Sequence, residues 1–301
     1  MTSSTAGGRL VGVTGVTGGL GGRVARRLAD AGVAQRLLAR DPARVPDLAG
    51  STVGAMGDGY HDADAMRSAL AGVHTLFLVS GGEAADRRDA HVTAVDAAVD
   101  AGVAHIVYVS FLGAGPEATF TFARDHWHTE EHIKTRGVPY TMLRDSLYLD
   151  VWPHFVGADG VVRGPAGTGR FGGVTRDDIA DVATTVLAAS SSGDTSHEGR
   201  TYDLTGPASI SLAEVAAELT IACGQMITYE TETLDQAYAS RSAYGAPDWM
   251  VTGWVTTYAA IATGELDVVT PTVNELTGHD PMSLAEFLAR YPAEVDHLRP
   301  T

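Results

Sequence analysis

Gly15, Gly18 and Gly21 recur at every third position of the run Val13-Thr14-Gly15-Val16-Thr17-Gly18-Gly19-Leu20-Gly21. Glycines at that spacing suit a turn that lays backbone against a pyrophosphate. Gly15 permits the tight turn, Gly18 the close approach of the anion, and Gly21 the packing of the following helix. The first N–H groups of that helix and its positive dipole end then face the phosphates. Gly15, Thr17, Gly18, Gly19, Leu20 and Gly21 are therefore candidate contacts to a nicotinamide dinucleotide. Further on, Arg40-Asp41-Pro42-Ala43-Arg44 brings two guanidiniums to the place where the 2′-phosphate of NADPH would lie. An acid there would instead serve the ribose hydroxyl of NADH, so Asp41 keeps that reading open, and Arg44 has a second reading as a solvated surface charge. NADPH is favoured over NADH. Asp58 follows the third strand, either to accept from an adenine amino group or as a polar loop residue ahead of Asp62, a plausible helix cap.

Other chemistry is excluded by what the chain lacks. Among its 21 bases Lys134 is the only lysine. A tyrosine acid/base assisted by a lysine four positions later cannot be assembled, because the position four before Lys134 is Glu130. Tyr140 precedes Arg144 at the same spacing, but arginine does not deprotonate. The string His128-Thr-Glu-Glu131-His132 matches a zinc-protease pattern. Between the strands of a dinucleotide fold it reads as a solvated helix face, and no metal is expected. Tyr148, Trp152 and Phe155 form an aromatic run that lines a substrate pocket or packs a hinge core, with the pocket preferred. Cys223, on an Ala-rich helix, reads as packing.

These residues need elements to hold them. Leu10–Thr14, Arg36–Ala39, Thr75–Ser80, His105–Ser110 and Pro139–Leu143 read as buried strands. Leu20–Ala31, Ala63–Ala71, Arg88–Ala101 and a stretch of about 124–136 read as the helices between them, closed by Gly32, Gly102 and Gly137. Strands alternating with helices of that length make right-handed crossovers and an α/β, Rossmann-type doubly wound parallel sheet. After about residue 145 the rhythm changes. Tyr148–Gly173 has no helical period, Thr175–Asp178 starts a helix over Ile179–Ala189, Arg200–Leu204 is a further strand, and Ser211–Cys223 is a helix. The expected division is 1–149 plus 176–206 as the nucleotide-binding domain, with 150–175 plus 207–301 as a smaller α+β lobe.

Composition narrows the partners. Thirty-seven acids against 21 bases leave a net charge of −16 in 301 residues. Such a surface repels phosphate backbones and anionic headgroups, so neither nucleic acid nor a membrane is expected as partner. A single cysteine and a polar, small Met1–Arg9 stretch without an apolar core read as a cytoplasmic chain. A homodimer stays open.

The whole pattern resembles the NmrA-like atypical short-chain dehydrogenases, and within them the type-2 quinone oxidoreductases. The resemblance runs from about Val11 to Leu288. It is carried by the Thr14–Gly21 turn, Arg40–Arg44, Gly57-Asp58, His91 ahead of Asp96-Ala-Ala, and Tyr108-Val-Ser110. It continues through Ala123-Arg-Asp-His126, Thr129-Glu130, Tyr140–Arg144, Thr175-Arg176, His197–Tyr202 and Leu212–Leu219. It implies NADPH-dependent reduction of quinones or similar conjugated aromatics by direct hydride transfer, with dye reductases as relatives. It also implies a second branch, in which an NADP-binding protein of the NmrA type acts as a redox sensor without catalysis. In the family the turn after the last domain strand is Arg-Asn-Gly beside the nicotinamide. Here it is Arg144-Asp145-Ser146, so Asp145 joins Val79 and Ser80 among the candidate cofactor contacts. Quinone reduction needs only a donor or water near the product oxyanion. Ser110, ending a strand on the carboxyl edge of the sheet, and His126, a side-chain type that in its unperturbed form exchanges protons near neutral pH, are the candidate catalytic residues.

Overall fold

The computed structural model describes residues 8–299; the opening residues 1–7, read above for a leader segment, lie outside them. In chain order the elements are β1 (Val11–Val13), α1 (Gly19–Asp30), β2 (Gln35–Ala39), β3 (Ser51–Ala55), α2 (Ala63–Ala69), β4 (Thr75–Leu78), α3 (Arg87–Asp100), β5 (His105–Phe111), α4 (Thr121–Thr135) and β6 (Tyr140–Asp145). There follow β7 (Val161–Gly164), β8 (Arg170–Phe171), α5 (Arg176–Ser192), β9 (Arg200–Leu204), β10 (Ile210–Ser211), α6 (Leu212–Cys223), β11 (Thr228–Thr231), α7 (Leu234–Ser242), α8 (Asp248–Ala262), α9 (Thr272–Thr277) and α10 (Leu284–Arg290). No helix among the described residues is long and apolar enough to cross a membrane.

The chain divides into two compact units. One comprises the chain up to Ser110, Trp127–Leu143 and Ile179–Tyr202; the other comprises Phe111–His126, Arg144–Asp178 and the chain from Asp203. The division expected from the sequence kept Phe111–His126 with the first unit. Phe111, Leu112 and Ala123 instead belong to the core of the second.

The first unit carries a seven-stranded sheet in the order β3-β2-β1-β4-β5-β6-β9, with the carboxyl-terminal residues of β5, β6 and β9 counted to the second unit. The pairings of β1 with β2 and β4, of β2 with β3, and of β4 with β5 are all parallel. This is the expected Rossmann-type architecture. All seven residues of β5 are buried, as a parallel strand covered on both faces requires. On α1, Leu20, Val24, Ala25 and Leu28 form the buried stripe. The core on one side of the sheet gathers Leu38, Met66, Leu76, Val95, Ile106, Tyr108 and Met142. Strand order reverses between β1 and β4, and in such sheets the ligand crevice opens at the carboxyl ends on either side of that point.

The second unit packs Trp152, Phe171, Leu212, Val215, Leu219, Ile261 and Phe287 into its own core. Two small pairs, β10 with β8 and β11 with β7, flank it, the first antiparallel and the second parallel. The α6 helix starts at a full capping box, Ser211 with Glu214. The expected start at Thr175 is also present: its Oγ1 accepts the Asp178 N–H at 3.1 Å and donates to Asp178 Oδ2 at 2.6 Å. This cap starts α5 one turn earlier than the apolar pattern alone indicates.

Candidate functional site

The glycine turn joins β1 to α1. Gly15 has φ +66°, and a Cβ there would stand 3.2 Å from the Val79 side chain, so backbone and packing both require glycine. Gly18 caps α1 without any side-chain hydrogen bond, leaving the first-turn N–H groups to an external acceptor. Its own N–H donates to the Gly15 carbonyl at 2.9 Å. A Cβ at Gly21 would overlap the Thr14 and Gly15 carbonyls, which shows how closely the helix sits on the turn. Thr17, Gly18 and Gly19 are exposed, whereas the Leu20 side chain is buried, so only the backbone of Leu20 can serve a ligand.

At the end of β2, Arg40 and Arg44 are exposed, and among the described residues neither guanidinium has an ionic partner. The Arg40 stem runs over Gly59, where a Cβ would come within 3.0 Å of Arg40 Cδ. Asp41, the rival acid, accepts the Ala43 N–H at 3.1 Å and caps its own short turn. Asp58 is exposed and caps nothing, while Asp62 caps α2 by accepting from the Ala65 N–H at 2.9 Å.

Across the strand-order reversal lies the segment after β4. The Val79 N–H donates to Thr14 Oγ1 at 2.9 Å, and the Tyr60 hydroxyl donates to the Val79 carbonyl at 2.6 Å while lying 2.8 Å from the same Thr14 oxygen. Burial pushes the Tyr60 phenol well above its ordinary range, so it keeps its proton. Two residues on, Gly81 donates its N–H to His91 Nε2 at 2.8 Å, and Arg87 Nε donates to the Gly81 carbonyl at 2.9 Å. Ser80, half-buried, stands between these two fastened points.

Ser110 is fully buried, and its hydroxyl donates to Glu130 Oε1 at 2.6 Å. Glu130 is itself 0 % exposed, with Lys134 Nζ at 3.9 Å. The protease-like string on α4 is committed elsewhere: His132 Nε2 pairs with Asp96 at 2.7 Å, and Glu131 pairs with Lys134 at 2.8 Å.

The remaining candidates lie in the second unit. Asp145 is buried and accepts from the Tyr148 hydroxyl at 2.7 Å. Arg176 lies 4.7 Å over the Tyr148 ring and pairs with buried Asp150 at 3.3 Å. Burial and the neighbouring Asp145 charge raise the Tyr148 phenol well above its usual value. Trp152 is 1 % exposed, among Phe155, Phe171 and Tyr258. That position is the core alternative of the two weighed for it, because a wholly covered indole offers no face to a substrate. Phe155 is half exposed. His126 is 6 % exposed, its ring 6.1 Å from that of Phe111.

The structure therefore gathers the glycine turn, Val79 and Ser80 at one edge of the first unit. Ser110 is turned onto Glu130, while His126, Asp145, Tyr148, Trp152 and Phe155 fall in the other unit. The sequence marks neither Tyr60 nor Arg87 as a site residue, and marks His91 and Glu130 only through the family resemblance. The one visible signal was the spacing of Arg87 and His91, four apart on a helix.

Comparison with known proteins gives concordant results. The NAD(P)H-binding family matches residues 15–190. Quinone oxidoreductase 2 of Escherichia coli (strain K12) is 32% identical over 285 residues, covering 93% of this chain and 98% of that protein. A Streptomyces griseus (4-alkanoyl-5-oxo-2,5-dihydrofuran-3-yl)methyl phosphate reductase is 33% identical over 283 residues, 93% of this chain and 96% of its own length. Among solved structures, an NADPH-dependent quinone oxidoreductase from Escherichia coli complexed with NADPH superposes with a TM-score of 0.82 at 31% identity, covering 93% of this chain and 99% of that one.

Proposed function

The chain belongs to the NAD(P)H-binding family, as an NmrA-like atypical short-chain dehydrogenase/reductase near the type-2 quinone oxidoreductases, and from that premise we propose that it is an NADPH-dependent reductase of quinones or similar conjugated acceptors. The observation that carries this reading is the glycine-lined start of α1, without a side-chain cap, beside the strand-order reversal, with two exposed guanidiniums at the end of β2 that have no ionic partner among the described residues.

These residues fit the cofactor. The backbone at Gly18, Gly19, Leu20 and Gly21 would hold the pyrophosphate, Arg40 and Arg44 the 2′-phosphate, and Asp58 the adenine. Val79, Ser80 and Asp145 would flank the nicotinamide half. Bound NADPH supplies a hydride to the acceptor. The protein's part is mainly positioning, since no tyrosine–lysine pair exists and Ser110 spends its proton on Glu130. His126 remains the proposed proton source, with water as the alternative. Tyr148 and Phe155 are the proposed aromatic contacts of the substrate. An acceptor range wider than quinones is supported by the similarity to the reductase of an oxo-dihydrofuran. The lone cysteine fits a cytoplasmic setting.

The test is the loss of reduced-nicotinamide absorbance in the presence of a panel of benzoquinones and naphthoquinones. Turnover on at least one acceptor, saturating in both substrates, is expected. Tight NADPH binding with no turnover on any of them would overturn the reductase reading and leave an NADP-binding sensor.

A further inference from the structure

We propose that Arg87 and His91 are positioning residues for the dinucleotide: one helical turn apart on α3, they clamp the Gly81 peptide units and hold the loop after β4 in its binding form. The proposal rests on the cofactor site described above.

The clamp acts on both sides of one residue. The Gly81 N–H donates to His91 Nε2 at 2.8 Å, and the Gly81 carbonyl accepts from Arg87 Nε at 2.9 Å. An amide N–H can only donate, so Nε2 carries the lone pair and the ring proton sits on Nδ1. That proton is given to Thr129 Oγ1 at 2.9 Å, which fixes the ring from behind. Tyr60 and Tyr108 stand edge-on to the imidazole, with centroids at 6.0 and 5.9 Å. His91 is 0 % exposed and Arg87 7 %. Burial and the Arg87 charge push the imidazole down to about 3, so it remains an acceptor at neutral pH. A Cβ at Gly81 would stand 3.3 Å from Nε2, so the loop lies directly on the ring.

Gly81-Gly82 is the most flexible dipeptide the code allows, and it borders the crevice at the strand-order reversal. Unclamped, this loop would lose its freedom only when the cofactor binds, and affinity would fall by that cost. With Val79 fastened to Thr14 and Tyr60, the clamp instead orders the loop beforehand.

The experiment compares His91→Phe with His91→Gln, whose Oε1 reaches about where Nε2 stands. The readouts are the NADPH Kd by nicotinamide fluorescence, the thermal midpoint, and KM for 1,4-naphthoquinone. His91→Phe should weaken NADPH about tenfold with KM for the quinone unchanged, and His91→Gln should restore binding to within about threefold. Arg87→Met, which removes the donor to the carbonyl, should weaken NADPH alike and serves if His91→Phe does not fold. Unchanged NADPH affinity in His91→Phe, or in Arg87→Met as its substitute, would overturn the clamp, provided Gly18→Val in parallel abolishes binding. A His91→Gln protein that binds as weakly as His91→Phe would also overturn it. If Gly18→Val binds normally, the cofactor site itself is elsewhere, and the clamp falls with that reading.

Discussion

Gly18 has φ −101°, a value open to any L-residue, and a Cβ there would meet only the Gly15 carbonyl, at 3.3 Å. The fold places little demand for glycine at this position; under the proposed function, the close approach of the pyrophosphate is what requires it. Gly18→Val should therefore keep its circular-dichroism spectrum and thermal midpoint to within a few degrees while losing NADPH binding by titration. Gly15 differs, because its positive φ and the nearby Val79 make any substitution there a test of folding as well. Arg40 and Arg44 pose a cleaner question. Being exposed and without ionic partners among the described residues, they can be removed at little cost to stability. Arg40→Ala combined with Arg44→Ala should raise the NADPH Kd by roughly a hundredfold or more while sparing NADH, since charge-assisted bonds to a phosphate are worth about 1.5–3 kcal/mol each. Equal losses for both cofactors would assign the arginines to the shared pyrophosphate or to the fold.

At the scale of elements, the second unit depends on a buried aromatic. Trp152 sits in a short 3-10 run, Leu149–Phe155, which carries no amphipathic period and so left no helical signature in the sequence. Its ring fills the space between Phe171 and Tyr258, at centroid distances of 5.3 and 6.2 Å. Trp152→Ala should destabilise by about 3–5 kcal/mol, read as a lower urea midpoint. If the protein instead kept its midpoint and lost only affinity for quinone, Trp152 would line the substrate pocket after all. Phe155, half exposed beside it, should cost far less on truncation. The helix starts were the most legible parts of this unit. Ser211 with Glu214, and Thr175 with Asp178, follow from residue type and a three-residue spacing along a single segment.

Over the whole molecule, two buried histidines set a dependence on pH. Burial lowers His91 to about 3 and His105 to about 4, from the ordinary 6.5. Neighbouring positive charge adds to the burial effect, from Arg87 on the first and from His74 and His197 on the second. Between those values the unfolded chain binds protons that the folded chain refuses. Their contribution to stability is therefore complete above pH 6.5 and is lost as the pH falls toward 4 and then 3. At about 1.4 kcal/mol per unit per histidine, moving from pH 6.5 to 5 should cost roughly 2 kcal/mol for each. Urea midpoints at pH 7 and pH 5 check this, and His105→Gln should remove about half of the difference. A midpoint that does not fall on acidification would show that the folded protein admits the protons.

What the sequence determined by itself lies within single segments. The glycine spacing, the guanidiniums after β2, the missing tyrosine–lysine pair and the alternation of strand with helix are properties of neighbours along the chain, and neighbours along the chain stay neighbours in space. They were enough for a Rossmann-type sheet and a dinucleotide turn. The tertiary structure alone decided which distant segments meet. Thr14, Tyr60 and Val79 share hydrogen bonds across 46 and 65 positions, and Ser110 gives its proton to Glu130 twenty residues away. Gly81 is held by a helix that begins after an intervening loop. The assignment of Phe111–His126 to the second unit was decided in the same way. A hydrogen bond or a core contact depends on the position of both partners, and residue type along one segment specifies only one of them.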